Sequence, residues 1–283
     1  MSYQTIEVKP LADALGAEIF GVELSQELTN QAFDEIHRAY LDHQVIFFRD
    51  QNLTPGQLSD FGRRFGPLNI YPFVEGLAEA PEVLEILKTE TDVKNFGGAW
   101  HSDTAYLERP PLGTMLYAHE VPRAGGDTLF ANAHLAYESL SDGMKDLIKG
   151  LVGVNSAALT LAGGRRNLSK GYTGMQTTNL DKVAAMVAEH PVVRTHPETG
   201  RKALYLSRQH TVRFKDMSVE ESRPLIDYLS RQITRPEFTC RFRWRVGSLA
   251  FWDNRSTQHY AINDYSGARR CMYRLTVEGD RPS

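Results

Sequence analysis

The sequence is poor in cysteine: its 283 residues include two, Cys240 and Cys271. No Cys-x-x-Cys pair and no cysteine–histidine spacing typical of zinc occurs, and two isolated thiols exclude a disulfide framework. Free thiols are typical of a reducing compartment. We therefore expect a cytoplasmic protein.

The sequence also lacks a charge excess and long apolar runs. Lys and Arg number 32 against 35 Asp and Glu, a net charge of −3, which argues against a general nucleic-acid or membrane-surface binder. No apolar run approaches the roughly 20 residues that cross a bilayer. The first residues, MSYQTIEVKPLADALG, have no basic region followed by an apolar core, so we expect no signal peptide.

The composition is otherwise average, with 41% hydrophobic and 24% charged residues, which excludes a disordered or fibrous protein. No repeat, low-complexity tract or linker divides the chain, so we predict one domain over residues 1–283. The segment from about 155 to 186 is rich in Gly, Ser, Thr, Asn and Arg and has weak periodicity. A long polar segment of this kind predicts a lid or functional loop.

Three helices are predicted by capping residues and by helical spacing. Thr54 with Gln57 forms a capping box that begins one helix, which we expect Gly66 to end. Ser218 with Glu221 begins another helix, predicted to reach residue 232. Apolar residues at helical spacing predict a third helix over residues 30–42.

Short apolar or alternating runs predict strands in much of the remaining chain. These runs cover parts of 5–24, and 45–48, 83–87, 111–119, 192–195, 203–206, 238–245, 248–252 and 271–277. In the run 238–245, apolar side chains alternate with Thr239 and the arginines 241, 243 and 245, so we expect a solvated arginine face. The pattern predicts a mainly-β protein with helices, a sandwich or barrel that helices flank.

One histidine of nine has informative neighbours, in the sequence Trp100-His101-Ser102-Asp103. In an extended segment residues i and i+2 point to the same side, so the His101 and Asp103 side chains can converge. A second histidine from a distant strand would complete two imidazoles and one carboxylate. That ligand set suits non-haem Fe(II), because it leaves positions open for substrate and O2.

Residues far along the chain support this interpretation. The segment 252–261, WDNRSTQHYA, presents His259 after an apolar strand, and Arg270 begins another strand eleven residues later. A buried guanidinium binds a carboxylate through two hydrogen bonds, which a lysine cannot match. Thr128 follows the turn Gly125-Gly126-Asp127 and supplies a hydroxyl donor. The pattern suggests a metal holding one end of a dicarboxylic acid and an arginine holding the other.

Together these motifs resemble the taurine dioxygenase family, which includes aryloxyalkanoate dioxygenases and alkylsulfatases. The matching segments are WHSDTAYLERPP, GGDTLFANAHLAYESL, FWDNRSTQHYAINDY with the following RR and YR, and the N-terminal GAEIFGVELS and HQVIFFRDQNLTPGQLSDFGRRFGPL. The resemblance spans nearly the whole chain. It implies a double-stranded β-helix (jelly-roll) core with flanking helices and a lid, and a homo-oligomer, either a dimer or a tetramer.

The resemblance also assigns residues. It implies that His101, Asp103 and His259 are the iron ligands and the catalytic centre. It implies that Thr128 and Arg270 bind the far carboxylate of 2-oxoglutarate.

Further along the same strand, Arg274 matches the arginine that meets the substrate sulfonate in taurine dioxygenase. Positions 270, 272 and 274 share a strand face, so both arginines can reach one cavity. A second contact to 2-oxoglutarate or a structural ion pair are the alternatives for Arg274.

Departures from the family concern the substrate. Tyr71 stands where taurine dioxygenase has a histidine that contacts taurine, which argues against taurine itself. Tyr71, Asn95 and Phe73 are the predicted pocket residues, and Tyr106 is expected in the core.

The expected function is that of a dioxygenase using Fe(II), 2-oxoglutarate and O2, which forms succinate and CO2. Its substrate is expected to be a small anionic molecule: an organosulfonate, a sulfate ester, an aryloxyalkanoate or a related acid. One alternative is a non-catalytic small-molecule sensor on the same fold. A zinc hydrolase with the same ligands is another, but a hydrolase needs no dicarboxylate anchor such as Arg270 with Thr128.

Overall fold

The computed structural model describes residues 3–71, 74–160 and 185–283. Within them strands predominate over helices, which confirms the predicted mainly-β class with helices. The strands are β1 (Glu7–Pro10), β2 (Ala17–Phe20), β3 (Val45–Phe48), β4 (Leu84–Lys88), β5 (Gly113–Glu120), β6 (Thr128–Asn132), β7 (Val152–Ser156), β8 (Val187–Pro191), β9 (Val193–Thr195), β10 (Lys202–Leu204), β11 (Thr211–Phe214), β12 (Thr239–Phe242), β13 (Leu249–Asp253), β14 (Thr257–Ala261) and β15 (Arg270–Val277). The helices are α1 (Asn30–His43), α2 (Pro55–Arg63), α3 (Ala133–Glu138), α4 (Asp142–Ile148), α5 (Ala157–Thr160) and α6 (Val219–Ile233). None of these helices is long and apolar enough to span a membrane.

Seven strands form the large sheet, in the order β1-β2-β3-β13-β5-β15-β4. Its neighbouring strands are antiparallel except β2 and β3, which run parallel. Three smaller sheets have the orders β12-β6-β14, β11-β7-β8 and β10-β9. All four residues of β3 are buried, which is expected of a strand that is covered on both faces.

Two apolar clusters cover the two faces of the large sheet. On one face α1 and α2 pack against it, and Tyr40 stacks on Phe251 with ring centroids 4.2 Å apart. On the other face lies the sheet β12-β6-β14, where Phe47 stacks on Phe242 at 3.9 Å and meets Phe130 edge-on at 5.6 Å. The molecule therefore layers helices, the large sheet and the small sheet, and both sheets contribute side chains to the space between them.

The predicted helices form close to the predicted bounds. The capping boxes at Thr54 and Ser218 are both present, and the helix predicted over 30–42 extends to His43. The expectation for Gly66 was wrong. Helix α2 ends at Arg63, and its C-cap Arg64 keeps a right-handed backbone with φ −64°, so the helix ends without a left-handed glycine.

The alternating run 238–245 is only partly a strand. Its first residue lies in a 3₁₀ turn (Pro236–Phe238), and the strand itself ends at Phe242. The alternation nevertheless continues to 245: Phe242 and Trp244 are buried, whereas Arg241, Arg243 and Arg245 are exposed. The arginine face is therefore solvated, as predicted.

The predicted lid begins inside regular structure. Asn155 and Ser156 belong to β7 and pair with Ala188 and Val187 of β8, and the next four residues form α5. Residues 161–184, most of the predicted lid, lie outside the described residues.

Candidate metal centre and active site

Backbone pairing brings the two predicted histidine ligands together. The His101 N–H donates to the His259 carbonyl at 3.2 Å, and the His259 N–H donates to the His101 carbonyl at 2.9 Å. Their ring centroids are consequently 4.2 Å apart. Two residues that are 158 positions apart in the sequence thus become direct neighbours between a loop and β14.

The Asp103 carboxylate completes the cluster. Its Oδ1 lies 3.8 Å from His101 Nε2 and 3.9 Å from His259 Nε2. Beyond Asp103 the chain turns, with Thr104 at φ 41°. The Ala99 carbonyl lies 2.6 Å from His101 Nδ1, which places the proton on Nδ1 and turns the Nε2 lone pair toward the carboxylate.

This cluster is the one group of three or more His, Cys, Asp or Glu side chains with metal-binding spacing in residues 3–71, 74–160 and 185–283. Its three ligand atoms lie within 4.8 Å of one another. Two imidazole nitrogens and one carboxylate oxygen are the donor set of non-haem Fe(II) sites. The residues present therefore fit a divalent metal ion of that kind.

Electrostatics keep the cluster in its metal-binding protonation state. Burial alone would raise the pKa of Asp103, but the Arg274 guanidinium and the two imidazoles hold it well below its usual range. Arg274 Nη2 lies 3.1 Å from Asp103 Oδ1. Burial lowers the pKa of His259 to about 3, and the neighbouring His101 lowers it as well. An ionised carboxylate thus faces a neutral imidazole.

A small cavity lies beside the cluster, between the two sheets. The side chains that line it come from both sheets and from the loop before His101: Ile86, Phe96, Gly97, His101, Asp103, Leu116, Thr128, Trp252, His259, Ala261, Arg270 and Arg274. Arg270 and Arg274 both reach it, as the shared strand face predicts. Most of its other walls are apolar, so a carboxylate entering it would meet the Arg270 guanidinium in a desolvated setting.

Thr128 is oriented by a tryptophan. Trp244 Nε1 donates to Thr128 Oγ1 at 2.9 Å, so the hydroxyl hydrogen of Thr128 is directed elsewhere and can be donated to a ligand. The Arg270 guanidinium lies 5.8 Å from the centroid of the same indole ring. Trp244 thus orients Thr128 and lies beside Arg270, a role that its place in the alternating run 238–245 does not indicate.

A larger cavity of about 400 Å³ also borders the cluster, with His101, Asp103 and Arg274 in its lining. Its volume lies within the range of small-molecule sites. Tyr71 and Asn95 both line it, together with Arg274, whose guanidinium lies 5.8 Å from the Tyr71 ring centroid. Asn95 Nδ2 donates to the Ala261 carbonyl at 3.0 Å and so ties the loop before the metal motif to β14. Phe73, the third predicted pocket residue, lies outside the described residues.

Gln209, His210 and Tyr106 also line the large cavity, although the sequence did not predict them as pocket residues. His210 is buried, with its ring centroid 5.3 Å from Tyr106 and 6.0 Å from His101. Tyr106 is buried, as expected for a core residue, but its side chain also faces the cavity. No local pattern marks His210, because it reaches the site through the loop that follows β10.

A buried ionic network fixes the turn between β13 and β14. Arg255 donates to both oxygens of Asp253, at 2.8 and 2.7 Å, and His196 Nε2 lies 2.8 Å from Asp253 Oδ2. Glu198 accepts a hydrogen bond from Arg255 Nη1 at 2.5 Å. Because this turn leads into β14, the network sets the position of His259.

Comparison with known proteins relates nearly the whole chain to one family. The sequence profile of the Taurine catabolism dioxygenase TauD, TfdA family matches residues 7–276. An alkylsulfatase of Acinetobacter baylyi is 35% identical over 281 residues, 98% of this chain and 86% of the relative. An alpha-ketoglutarate-dependent sulfate ester dioxygenase of Pseudomonas putida is 34% identical over 282 residues, 98% of this chain and 91% of the relative.

A solved structure shares the fold. The crystal structure of AAD-2 in complex with Mn(II) and N-oxalylglycine superposes with a TM-score of 0.79 at 30% sequence identity, over 99% of each chain.

Proposed function

The chain belongs to the Taurine catabolism dioxygenase TauD, TfdA family, and we propose that it uses Fe(II), 2-oxoglutarate and O2 to hydroxylate a small anionic organic molecule. It is a 2-oxoglutarate-dependent dioxygenase, an oxidoreductase whose coproducts are succinate and CO2. The observation that carries the proposal is the buried His101–Asp103–His259 cluster beside a cavity that contains Arg270.

His101, Asp103 and His259 would hold the iron. When bound, Fe(II) with 2-oxoglutarate and O2 supplies the oxidation of a C–H bond, and the protein supplies binding, orientation and exclusion of water. The AAD-2 structure contains Mn(II) and N-oxalylglycine, a dicarboxylate of nearly the same shape as 2-oxoglutarate, which supports the cofactor set.

Arg270 and Thr128 would bind the far carboxylate of 2-oxoglutarate. The guanidinium offers two parallel N–H donors, and the hydroxyl held by Trp244 offers a third. The apolar walls around them exclude water, which strengthens these hydrogen bonds.

Arg274 would bind the anionic group of the substrate in the larger cavity. Its guanidinium lies between Tyr71 and Asp103, so an anion held there lies next to the metal cluster. The relatives named for alkyl sulfates and sulfate esters make a sulfate ester our first candidate, ahead of organosulfonates and aryloxyalkanoates. Tyr71 and Asn95 would contact the rest of the substrate, and Phe73 remains a candidate from the sequence.

The test is succinate formation from 2-oxoglutarate with Fe(II), ascorbate and O2, across alkyl sulfates, alkyl sulfonates, aryloxyalkanoates, plain carboxylates and taurine. We expect alkyl sulfates to stimulate succinate formation and to release inorganic sulfate in equal amount. Arg274→Met should abolish that stimulation. Because Arg274 also pairs with Asp103, the Mn(II) affinity of the variant is measured as well, and the stimulation is compared at saturating metal. Stimulation of Arg274→Met equal to that of the wild type would contradict a substrate site at Arg274, and equal rates with every compound and with none would contradict the proposed substrate class.

The alternative functions receive no support. None of the relatives reported above is named as a sensor, and both are named for catalysis. A zinc hydrolase would share the three ligands but would have no use for the Arg270 and Thr128 cavity.

We also infer the topology of the core, the cellular setting and the oligomeric state. The strands of the two facing sheets would form a double-stranded β-helix within one domain. The lid over about residues 155–186 remains a prediction from the sequence. Burial of both free thiols supports a cytoplasmic setting. A homo-oligomer, either a dimer or a tetramer, remains our prediction from the resemblance. The balanced charge and the lack of long apolar runs remain the basis for predicting no nucleic-acid and no membrane partner.

A further inference from the structure

The two oxygens of the Asp103 carboxylate have different surroundings. Oδ1 faces the Nε2 atoms of His101 and His259, at 3.8 and 3.9 Å. Oδ2 accepts a hydrogen bond from the Thr114 hydroxyl at 2.7 Å. Oδ1 also lies 3.1 Å from Arg274 Nη2 in an ion pair. A carboxylate can bind a cation through one oxygen or through both, and here a buried hydroxyl donor is directed at Oδ2.

The Thr114 hydroxyl is itself oriented by Asn254. Asn254 Nδ2 donates to Thr114 Oγ1 at 2.9 Å, so the single hydroxyl hydrogen of Thr114 is left to point at Asp103. Asn254 Oδ1 accepts from the Asp103 backbone N–H at 3.1 Å. The three residues therefore form a closed ring of hydrogen bonds.

The orientation of the Asn254 amide is fixed as well. Its Oδ1 also accepts from Trp252 Nε1 at 3.1 Å, so a flipped amide would set an NH₂ group against two N–H donors. Thr114 and Asn254 are both fully buried, which removes water as a competing partner.

Regular structure supports the ring on both sides. Thr114 is the second residue of β5, and Asn254 directly follows β13, its neighbour in the large sheet. The Asn254 backbone N–H donates to the Leu112 carbonyl at 3.0 Å, just before β5. The ring thus anchors Asp103 to two adjacent strands of the sheet, although Asp103 itself lies in a turn.

We propose that Thr114 and Asn254 are positioning residues that restrict Asp103 to ligating the metal through Oδ1 alone. Their hydrogen bonds hold Oδ2 against Thr114 while Oδ1 faces the two imidazoles, so a bound metal ion would take one oxygen from Asp103 and could accept an exogenous ligand in place of the other. The inference rests on the proposed function, because it takes Asp103 as a metal ligand. Hydrogen bonds to ligating carboxylates typically change metal affinity by about 10–100-fold.

The test compares Thr114→Val with Thr114→Ser in the full chain. Mn(II) affinity is measured by calorimetry, and the coordination of Co(II) is followed by its visible absorption spectrum. We expect the valine variant to bind Mn(II) roughly 10–100-fold more weakly and to give an altered Co(II) spectrum. Serine keeps the hydroxyl and should retain both wild-type properties.

Thr5→Val is the matched control. Its hydroxyl also donates to a carboxylate, that of Glu35 at 2.8 Å, at a place remote from the cluster. This variant should bind Mn(II) as the wild type does. If Thr114→Val does not fold, Thr114→Ala and Thr114→Ser give the same comparison, since they differ by the hydroxyl alone.

The outcomes separate two claims. Wild-type Mn(II) affinity and an unchanged Co(II) spectrum in Thr114→Val would overturn the positioning role and leave the proposed function standing. Equal Mn(II) binding by the wild type and by His259→Ala would overturn the metal site, and with it both proposals.

Discussion

At the scale of single residues, Arg270 and Arg274 show how one strand can serve two ligands. They are four positions apart on one face of β15, and both reach the space between the sheets. Arg274 is held by Asp103, whereas Arg270 lies near the Trp244 ring and the Thr128 hydroxyl. Under the proposed function, Arg274 would bind a substrate anion and Arg270 the cosubstrate carboxylate.

Arg270→Ala should raise the KM for 2-oxoglutarate strongly. A buried charged hydrogen-bond partner contributes roughly 2–5 kcal/mol, which corresponds to at least a roughly 30-fold increase. Initial rates of succinate formation over a range of 2-oxoglutarate concentrations measure it. The matched control is Arg243→Ala, on the solvated face of the run 238–245, which should leave the KM unchanged. An unchanged KM in Arg270→Ala would place the cosubstrate anchor elsewhere.

At the scale of elements, the turn from β13 to β14 is held by charge rather than by apolar packing. Burial would raise the pKa of Asp253, but the Arg255 guanidinium and the hydrogen bond from His196 hold it well below its usual range. Asp253→Asn should therefore lower the free energy of unfolding by about 3–5 kcal/mol, because the buried Arg255 charge loses its buried carboxylate partner and keeps only the half-exposed Glu198. Urea denaturation of the metal-free protein measures the change.

The control for this element is Asp60→Asn, which breaks an exposed pair with Arg63 on α2 and should change stability by less than about 1 kcal/mol. A similar small change in Asp253→Asn would show that the turn does not depend on the network.

The N-terminal segment is docked by one carboxylate on α1. Glu35 accepts hydrogen bonds from the backbone N–H groups of Gln4, Thr5 and Ile6 and from the Thr5 hydroxyl. Burial would raise the pKa of Glu35, but these donors, with the Thr5 N–H first, lower it to about 2.

The stabilisation from Glu35 should therefore depend on pH. A carboxylate whose pKa is lowered by folding stabilises the fold fully above its unfolded pKa, near 4.5, and loses that effect as the pH falls toward 2. The stability difference between wild type and Glu35→Gln should be constant above pH 5 and shrink below it, as measured by urea denaturation from pH 3 to 7. Glu27→Gln, at an exposed position, should follow the wild type at every pH. A difference independent of pH would contradict this account.

The sequence predicted correctly those features that depend on residues close together in the chain. Thr54 and Ser218 cap their helices through side chains only three residues away, and the alternation in 238–245 follows from strand geometry alone. It missed β7, β8, β11 and the network at Asp253, because their partners come from distant parts of the chain. His101, Asp103 and His259 were predicted because the metal requires particular residue types, and the resemblance then supplied their pairing.

At the scale of the whole molecule, ligand binding between two sheets should stabilise the entire fold. A ligand that binds the folded chain alone adds about 2.7 kcal/mol at 100 times its Kd. Mn(II) should therefore raise the Tm, and N-oxalylglycine added with Mn(II) should raise it further, as followed by circular dichroism. In Arg270→Ala, Mn(II) should still raise the Tm, but N-oxalylglycine should not raise it further. If N-oxalylglycine raised the Tm of the wild type and of Arg270→Ala by the same amount, it would not bind at Arg270.

The central claim is that the His101–Asp103–His259 cluster supports oxidative decarboxylation of 2-oxoglutarate. The most direct measurement follows O2 consumption, CO2 release and succinate formation together, for the iron-loaded wild type and for Asp103→Ala, with an alkyl sulfate present. We expect equal amounts of the three for the wild type and none above background for the variant. Turnover by Asp103→Ala at the wild-type rate, or succinate formed without O2, would contradict it.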